Sequence, residues 1–308
     1  MPVLTPHQFA PGPWGTYEGI ASQYPDATAI IDDTTDLALT YGTLTDAAIR
    51  LGKRITSAFS TVPEEPIGIM MDRCPEQIIA QLAILYINGS CVPVDGSLHV
   101  QTRGAVLDGL GIRCVLTVDM SDNRRIQVNL REPAVPFSAQ GVQPGLESCS
   151  HILHTSGSTG APKAIRLPGK GVLRHAGSSL FPLKPGDSVA HLCSPFFDLS
   201  IAEVWSALLS GATVVVFSPE RVRDPLAMDS TFKHRNIHLS FMPTALFNAI
   251  AIAKPTAFST LRKIFIGGEP ANAAAIKRVL RVSPHPSHCT THMAQLNPLY
   301  LLWFIKLA

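Results

Sequence analysis

The sequence predicts a layered α/β fold, a mostly parallel sheet covered by helices, on three observations. Through roughly the first 280 residues, short apolar runs alternate with stretches whose apolar residues recur at three- and four-residue spacing. Glycine and proline punctuate the junctions, with Pro75 where a first-turn proline is tolerated and Gly89 and Gly211 placed as left-handed helix caps. The 308 residues, 46% of them hydrophobic, also supply enough apolar material for a large core.

Taken in order, a helix is predicted over Gly42–Phe59 and a strand over the apolar run Ile67–Met71. A second helix follows over Pro75–Ile87, a third over Gln101–Leu110 and a strand over Arg113–Thr117. Residues 131–147, REPAVPFSAQGVQPGLE, are rich in proline, glycine and glutamine and read as a linker. Beyond it come strands at Ser188–Leu192, Thr213–Phe217 and Lys263–Ile266, with helices at Ser200–Leu209 and Asn272–Val282. Ser200 followed by Glu203 and an apolar-periodic run has capping-box spacing, which predicts a helix start at Ser200. No internal repeat is visible.

Charge narrows the function. With 25 basic and 23 acidic residues well mixed and a net charge of +2, no basic stripe points to nucleic acid. The first residues carry neither the basic nor the apolar region of a signal peptide, and no stretch approaches a bilayer-spanning length, so membrane partners are not expected. A soluble cytoplasmic protein working on small molecules or proteins is the expectation. The six cysteines lack paired spacing and several lie in apolar runs, which suits reduced core thiols.

The most informative segment is residues 151–163, HILHTSGSTGAPK. Apolar residues lead into a loop in which Gly157 and Gly160 let the backbone approach an anion. Thr155, Ser156, Ser158 and Thr159 offer hydroxyls, and Lys163 a positive charge. A nucleotide P-loop needs a hydroxyl residue after its lysine, but Pro162 precedes Lys163 and Ala164 follows it. A solvated Gly/Ser linker is the bland alternative, although linkers seldom end in Pro-Lys.

TSGSTGAPK resembles the signature of the adenylate-forming (AMP-binding) superfamily, and other segments resemble that family in the right order. These are WGTYEGIASQYPDATAIID with its following Leu39–Tyr41, the stretch ending in Val92–Asp95, SPFFDLSIAEVWSALLSGATVVV, and IHLSFMPTALFNAI with LRKIFIGGEPA. The third is similar to nonribosomal peptide synthetase adenylation domains, in which the residue matching Asp198 binds the substrate's α-ammonium group. The local alternative is that Asp198 merely assists a helix cap. A carboxylate facing a cation is the physical solution for recognising an amino acid in a pocket.

The resemblance implies an N-terminal adenylation core that uses ATP and Mg2+ to convert an amino acid to aminoacyl-AMP, with no metal ligand assigned among these residues. Thr155, Ser156, Gly157, Ser158, Thr159, Gly160 and Lys163 would hold phosphate, with Lys163 and Thr159 serving catalysis. Gly268, Glu269 and Pro270 would border the adenine, at a strand end where α/β sheets put ligands. Asp198, Leu199, Ala202, Ser240, Phe265 and Gly267 would line the amino acid pocket, and a carrier-protein phosphopantetheine thiol on another chain would accept the product. Two rivals stand beside this reading, an acyl- or aryl-CoA ligase and a non-catalytic or regulatory nucleotide-binding remnant.

The resemblance covers residues 14–282, which predicts a partial adenylation domain over 1–282 and an unrelated tail over 283–308. The family's later Tyr-Gly-Pro-Thr-Glu and Thr-Gly-Asp segments and its mobile C-terminal domain with a catalytic lysine are not matched, which predicts impaired activity. In the tail, His285, His288, Cys289 and His292 have spacings that would suit a metal on a helix, but Pro284 and Pro286 disfavour one. Within the matched region His154, Ala164 and Tyr86 depart from the family pattern. Ala164 would matter if its position required a positive φ.

Overall fold

The computed structural model describes residues 12–119, 121–122, 124–133, 137, 146–155, 163–178, 182–267, 269–270, 272–282 and 289–291. Its helices are α1 (Pro13–Gln23), α2 (Tyr41–Ala58), α3 (Pro75–Tyr86), α4 (Val100–Gly109), α5 (Gly169–Ala176), α6 (Asp198–Leu208), α7 (Pro219–Val222), α8 (Pro225–His234), α9 (Thr244–Ala253) and α10 (Ala273–Val282). The first eight strands are β1 (Thr28–Asp32), β2 (Ala38–Thr40), β3 (Pro66–Ile69), β4 (Ser90–Pro93), β5 (Cys114–Asp119), β6 (Arg125–Leu130), β7 (Cys149–Thr155) and β8 (Lys163–Pro168). The others are β9 (Ser188–His191), β10 (Thr213–Val216), β11 (Leu239–Pro243), β12 (Lys263–Gly267) and β13 (Cys289–Thr291). All ten elements predicted from periodicity are present, with ends displaced by no more than two residues.

The strands form two sheets rather than one. The first runs β13-β12-β11-β9-β10-β1-β2 and is parallel except at its β2 edge. The second runs β6-β5-β3-β4-β7-β8, with a parallel centre and antiparallel edges. Strand β13 lies in the segment expected to be unrelated tail, and it pairs in parallel with β12 from Cys289 opposite Ile264.

Side-chain alternation sorts the core into layers. Val189, Val214, Val216, Leu239 and Phe265 face a central cluster with α2, α3 and α6, which Ile67, Ile69 and Cys91 of the second sheet close from the other side. Helix α3 lies between the sheets and is buried nearly all round, so its polar Glu76, Gln77 and Gln81 are buried with its apolar residues. On the outer face of the first sheet, Ala190, Leu192, Val215, Phe217 and Met242 pack on α8, α9 and α10. The outer face of the second sheet meets Leu107 of α4.

Junction chemistry largely follows sequence. Thr40 and Thr43 make a reciprocal capping box at the start of α2, and the next residue, Tyr41, donates its phenol to Ala212 O at 2.7 Å. The Leu39–Tyr41 segment therefore ties α2 to the turn after α6. Gly211 has φ +72° as expected, but at the end of α3 it is Asn88, at φ +58°, that takes the left-handed conformation. Gly89 is required for space instead, because a Cβ there would lie 2.9 Å from Ile84 Cγ2. Ala164 lies in β8 opposite His154 and is not among the residues with positive φ, so the alanine meets no backbone restriction. Cys74, Cys91, Cys114, Cys149 and Cys193 are buried free thiols, and burial pushes Cys74 and Cys114 up to about 12. Among the described residues no helix is long and apolar enough to cross a membrane.

Candidate functional site

Strands β9, β10, β11 and β12 are parallel, so their C-terminal ends share one edge of the first sheet. Ligands bind at such edges in open α/β sheets. The connection from β9 leads through Phe197 into α6, which starts at Asp198 and not at Ser200. The expected capping box does not form. Ser200 Oγ donates back to Phe197 O at 2.7 Å, and Glu203 turns into the core with no exposed surface. There its carboxylate accepts Leu192 N at 3.1 Å, Cys193 N at 3.0 Å and His191 Nδ1 at 2.7 Å. Three donors at the end of β9 outcompete a single cap interaction, and the helix extends back by two residues.

Asp198 is therefore the first residue of α6 and is half-buried. Burial raises its carboxyl above the ordinary range, opposed by the backbone N–H groups of Leu199 and of Asp198 itself. No cationic side chain pairs with it among the described residues.

Of the residues expected to line a pocket, three lie at or in the central core. Ala202 of α6 and Phe265 of β12 belong to the central cluster, and Leu199 packs against it. Phe265 stacks on Phe241 with ring centroids 4.9 Å apart and planes at 16°, and His175 of α5 lies 6.4 Å from Phe241. Neither Phe241 nor His175 is among the pocket residues that the resemblance implies. Ser240 is not brought to this face. Its neighbours Leu239 and Phe241 both face the central cluster, so strand alternation turns Ser240 to the outer face with Met242. It is fully buried there, and its hydroxyl has no hydrogen-bond partner among the described residues.

At the end of β12, Thr244 Oγ1 donates to Gly267 O at 3.1 Å and to Glu269 O at 2.8 Å. The first turn of α9 thereby clamps the turn that presents the exposed Glu269 and Pro270. Gly268 lies outside the described residues, as do Ser156, Gly157, Ser158, Thr159 and Gly160. What is described of that loop is its base, where the backbone of Thr155 in β7 pairs with Lys163 in β8 and Lys163 is exposed. Helix α5 packs on α6 and on both strands of this hairpin. The histidine and cysteine positions of the tail metal reading, His285, His288 and His292 and the side chain of Cys289, also lie outside the described residues.

The β7/β8 hairpin, the end of β12 and the head of α6 carry the segments in which the sequence resembles adenylate-forming enzymes. The family profile described as AMP-binding enzyme matches residues 17–293, and the chain belongs to that family. The match runs past Val282 and includes β13.

Among curated relatives, the chain is 33% identical over 294 residues to the nonribosomal peptide synthetase asaC of Aspergillus flavus, covering 86% of this chain and 28% of that protein. It is 34% identical over 274 residues to the aldehyde reductase lnbA of the same fungus, covering 85% and 27%. The chain thus spans about a quarter of the length of the curated relatives it matches. Among solved structures it resembles PA1221, an NRPS protein containing adenylation and PCP domains, with TM-score 0.78 and 22% identity over 92% of this chain and 50% of that one. It also resembles the N-terminal subdomain of Klebsiella oxytoca NpsA, with TM-score 0.74 and 21% identity over 91% and 73%. These likenesses establish the fold.

Proposed function

We propose that the chain carries out the activation step of an adenylation domain, joining an amino acid to AMP at the expense of ATP. The observation that carries this reading is Asp198, half-buried at the head of α6 without a cationic partner among the described residues. A substrate α-ammonium group would supply the missing charge, and burial strengthens such a pair. The neighbouring Leu199, Ala202 and Phe265 favour an apolar side chain on that amino acid.

In this reading an oxygen of the substrate carboxylate attacks the α-phosphorus of ATP. The new O–P bond forms as the α,β bridge breaks, and pyrophosphate leaves with the electron pair. Catalysis is then positioning and charge neutralisation. Thr155, Ser156, Ser158, Thr159, Gly160 and Lys163 would hold the departing phosphates, with Gly268, Glu269 and Pro270 beside the adenine. Among the described residues no group of three His, Cys, Asp or Glu side chains gathers to hold a metal. Magnesium carried on nucleotide phosphates needs only one or two protein carboxylates, so such a cluster is not required for it.

The names of the relatives add one constraint. The same segment occurs in proteins named as aldehyde reductases and as nonribosomal peptide synthetases. A shared activation step followed by different fates of the acyl group accounts for both names. A carrier thiol would accept the acyl group here too, as the adenylation–PCP architecture of PA1221 suggests.

The test is ATP–pyrophosphate exchange by the full 308-residue chain across a panel of amino acids, with Asp198→Ala alongside. The reading expects exchange that depends on an apolar amino acid and falls in the variant by about 30- to 1000-fold, the loss for truncating one partner of a buried charge pair. Unchanged substrate use in the variant would favour an acyl- or aryl-CoA ligase. Absence of exchange with every amino acid would refute catalysis by this chain alone.

A further inference from the structure

Between the two sheets lies a polar network that the activation chemistry does not use. Gln81 of α3 is almost wholly buried, and its Oε1 sits 3.0 Å from Trp205 Nε1 of α6 and 3.0 Å from His151 Nε2 of β7. Its amide nitrogen donates to Gln77 Oε1 at 3.1 Å. The indole N–H can only donate, so the Gln81 amide must present its oxygen to Trp205. The same oxygen then requires a proton on His151 Nε2. His151 has no exposed surface, and burial lowers its pKa to about 3, so it is neutral and its Nδ1 is a bare acceptor. Ser150 Oγ lies 3.1 Å from that nitrogen and 3.0 Å from Leu167 O of β8. The indole proton thus fixes the Gln81 amide and, through it, the tautomer of His151, which links α6 through α3 to β7, while Ser150 donates its one proton to Leu167 O of β8.

We propose that Gln81 is a positioning residue: its oxygen holds the helix that begins at Asp198 and the hairpin that carries Lys163 in one fixed relation. The proposal rests on the reading that Asp198 and Lys163 serve one reaction. Two elements that grip opposite ends of a reacting pair must keep their spacing, because a displacement of about 1 Å costs on the order of 100-fold in rate. Glu203 ties α6 to the end of β9, but neither that carboxylate nor apolar packing gives a directional link from α6 to β7, which the shared Gln81 acceptor does. The neutral histidine also makes the link insensitive to pH across the physiological range.

The test uses the full chain with Gln81→Leu, which removes the oxygen at similar volume, Gln81→Glu, which keeps an accepting oxygen, and Trp205→Phe, which removes one donor. Hydrogen exchange should show protection falling together in the first turn of α6 and in β7 for Gln81→Leu. In pyrophosphate exchange, kcat should fall about 10- to 100-fold while both KM values change by less than about threefold, and Gln81→Glu should recover most of kcat. A folded Gln81→Leu with kcat within about threefold of the parent, or with exchange changes confined to α3, would overturn the proposal. Trp205→Phe serves the same comparison if the leucine variant does not fold. A parent chain without pyrophosphate exchange would count against the activation reading, and hydrogen exchange would still decide the link.

Discussion

Glu203 provides the sharpest test of how the site is held together. Its carboxylate is fully buried and accepts two backbone N–H groups and one imidazole nitrogen at the end of β9. Replacing it with alanine leaves Leu192 N and Cys193 N facing apolar surroundings without a partner. A hydrogen bond to a charged acceptor contributes about 1.5–3 kcal/mol, and breaking a buried charged arrangement by deleting one side costs about 3–5 kcal/mol. We therefore expect Glu203→Ala to lose about 4 kcal/mol. An unfolding entropy of about 2.1 cal/mol/K per residue over 308 residues is about 650 cal/mol/K, so the midpoint should fall by about 6 °C. Glu203→Gln keeps one accepting oxygen for the backbone donors and should lose only about 1–2 kcal/mol. Scanning calorimetry and urea denaturation measure both variants. An alanine variant within about 1 kcal/mol of the parent would refute the claim that this carboxylate anchors the turn into α6.

Other consequences are equally direct. A Cβ on Gly52 would lie 2.6 Å from Tyr86 Cδ1 and 3.1 Å from Ile87 Cγ2, so Gly52→Ala should destabilise by about 1–3 kcal/mol in urea. Burial lowers the folded pKa of His151 to about 3 and of His175 to about 4, from 6.5. Below pH 6.5 the unfolded chain binds protons that the folded chain refuses, so their contribution is intact above that pH and is lost as pH falls toward 4. The slope from these two groups approaches about 2.7 kcal/mol per pH unit, and His175→Phe should roughly halve it in denaturation midpoints measured from pH 7 to pH 4.5. For Asp198 the raised carboxyl reverses the sign, since its ionised form is the one disfavoured in the fold. Asp198→Asn should therefore raise the thermal midpoint at pH 7 but not at pH 3, and equal effects at both would exclude burial as the cause.

Much of the scaffold is legible in the chain because apolar periodicity is a local property. The run VVV in β10 or the three- and four-residue spacing in α2 needs no knowledge of its partner to be recognised. Strand β8 and helix α5 adjoin at Pro168 and Gly169, where no polar break marks the change of period, and α5 matters because it brings His175 to Phe241. The resemblance singles out Asp198, Ala202 and Phe265, and the fold puts the first at the start of α6 and the other two in the central cluster. Ser240 is misplaced because a residue list does not reveal which face of β11 each side chain takes. The alternation of Leu239 and Phe241 is the signal that points to Phe241 instead.

The α/β class, an apolar run leading into a glycine-rich loop at residues 151–163 and a carboxylate two residues before the capping-box serine are readable from the chain alone. Those features depend on residue type and short spacing. Long-range packing sets the division into two sheets, the use of Glu203 by β9 rather than by a helix cap, and the link that Gln81 makes between α6 and β7. A buried polar group takes whichever partners satisfy it most completely, and those partners lie far away in the chain. Local spacing offers Glu203 a cap interaction of about 1 kcal/mol, while the assembled core offers it three donors at once.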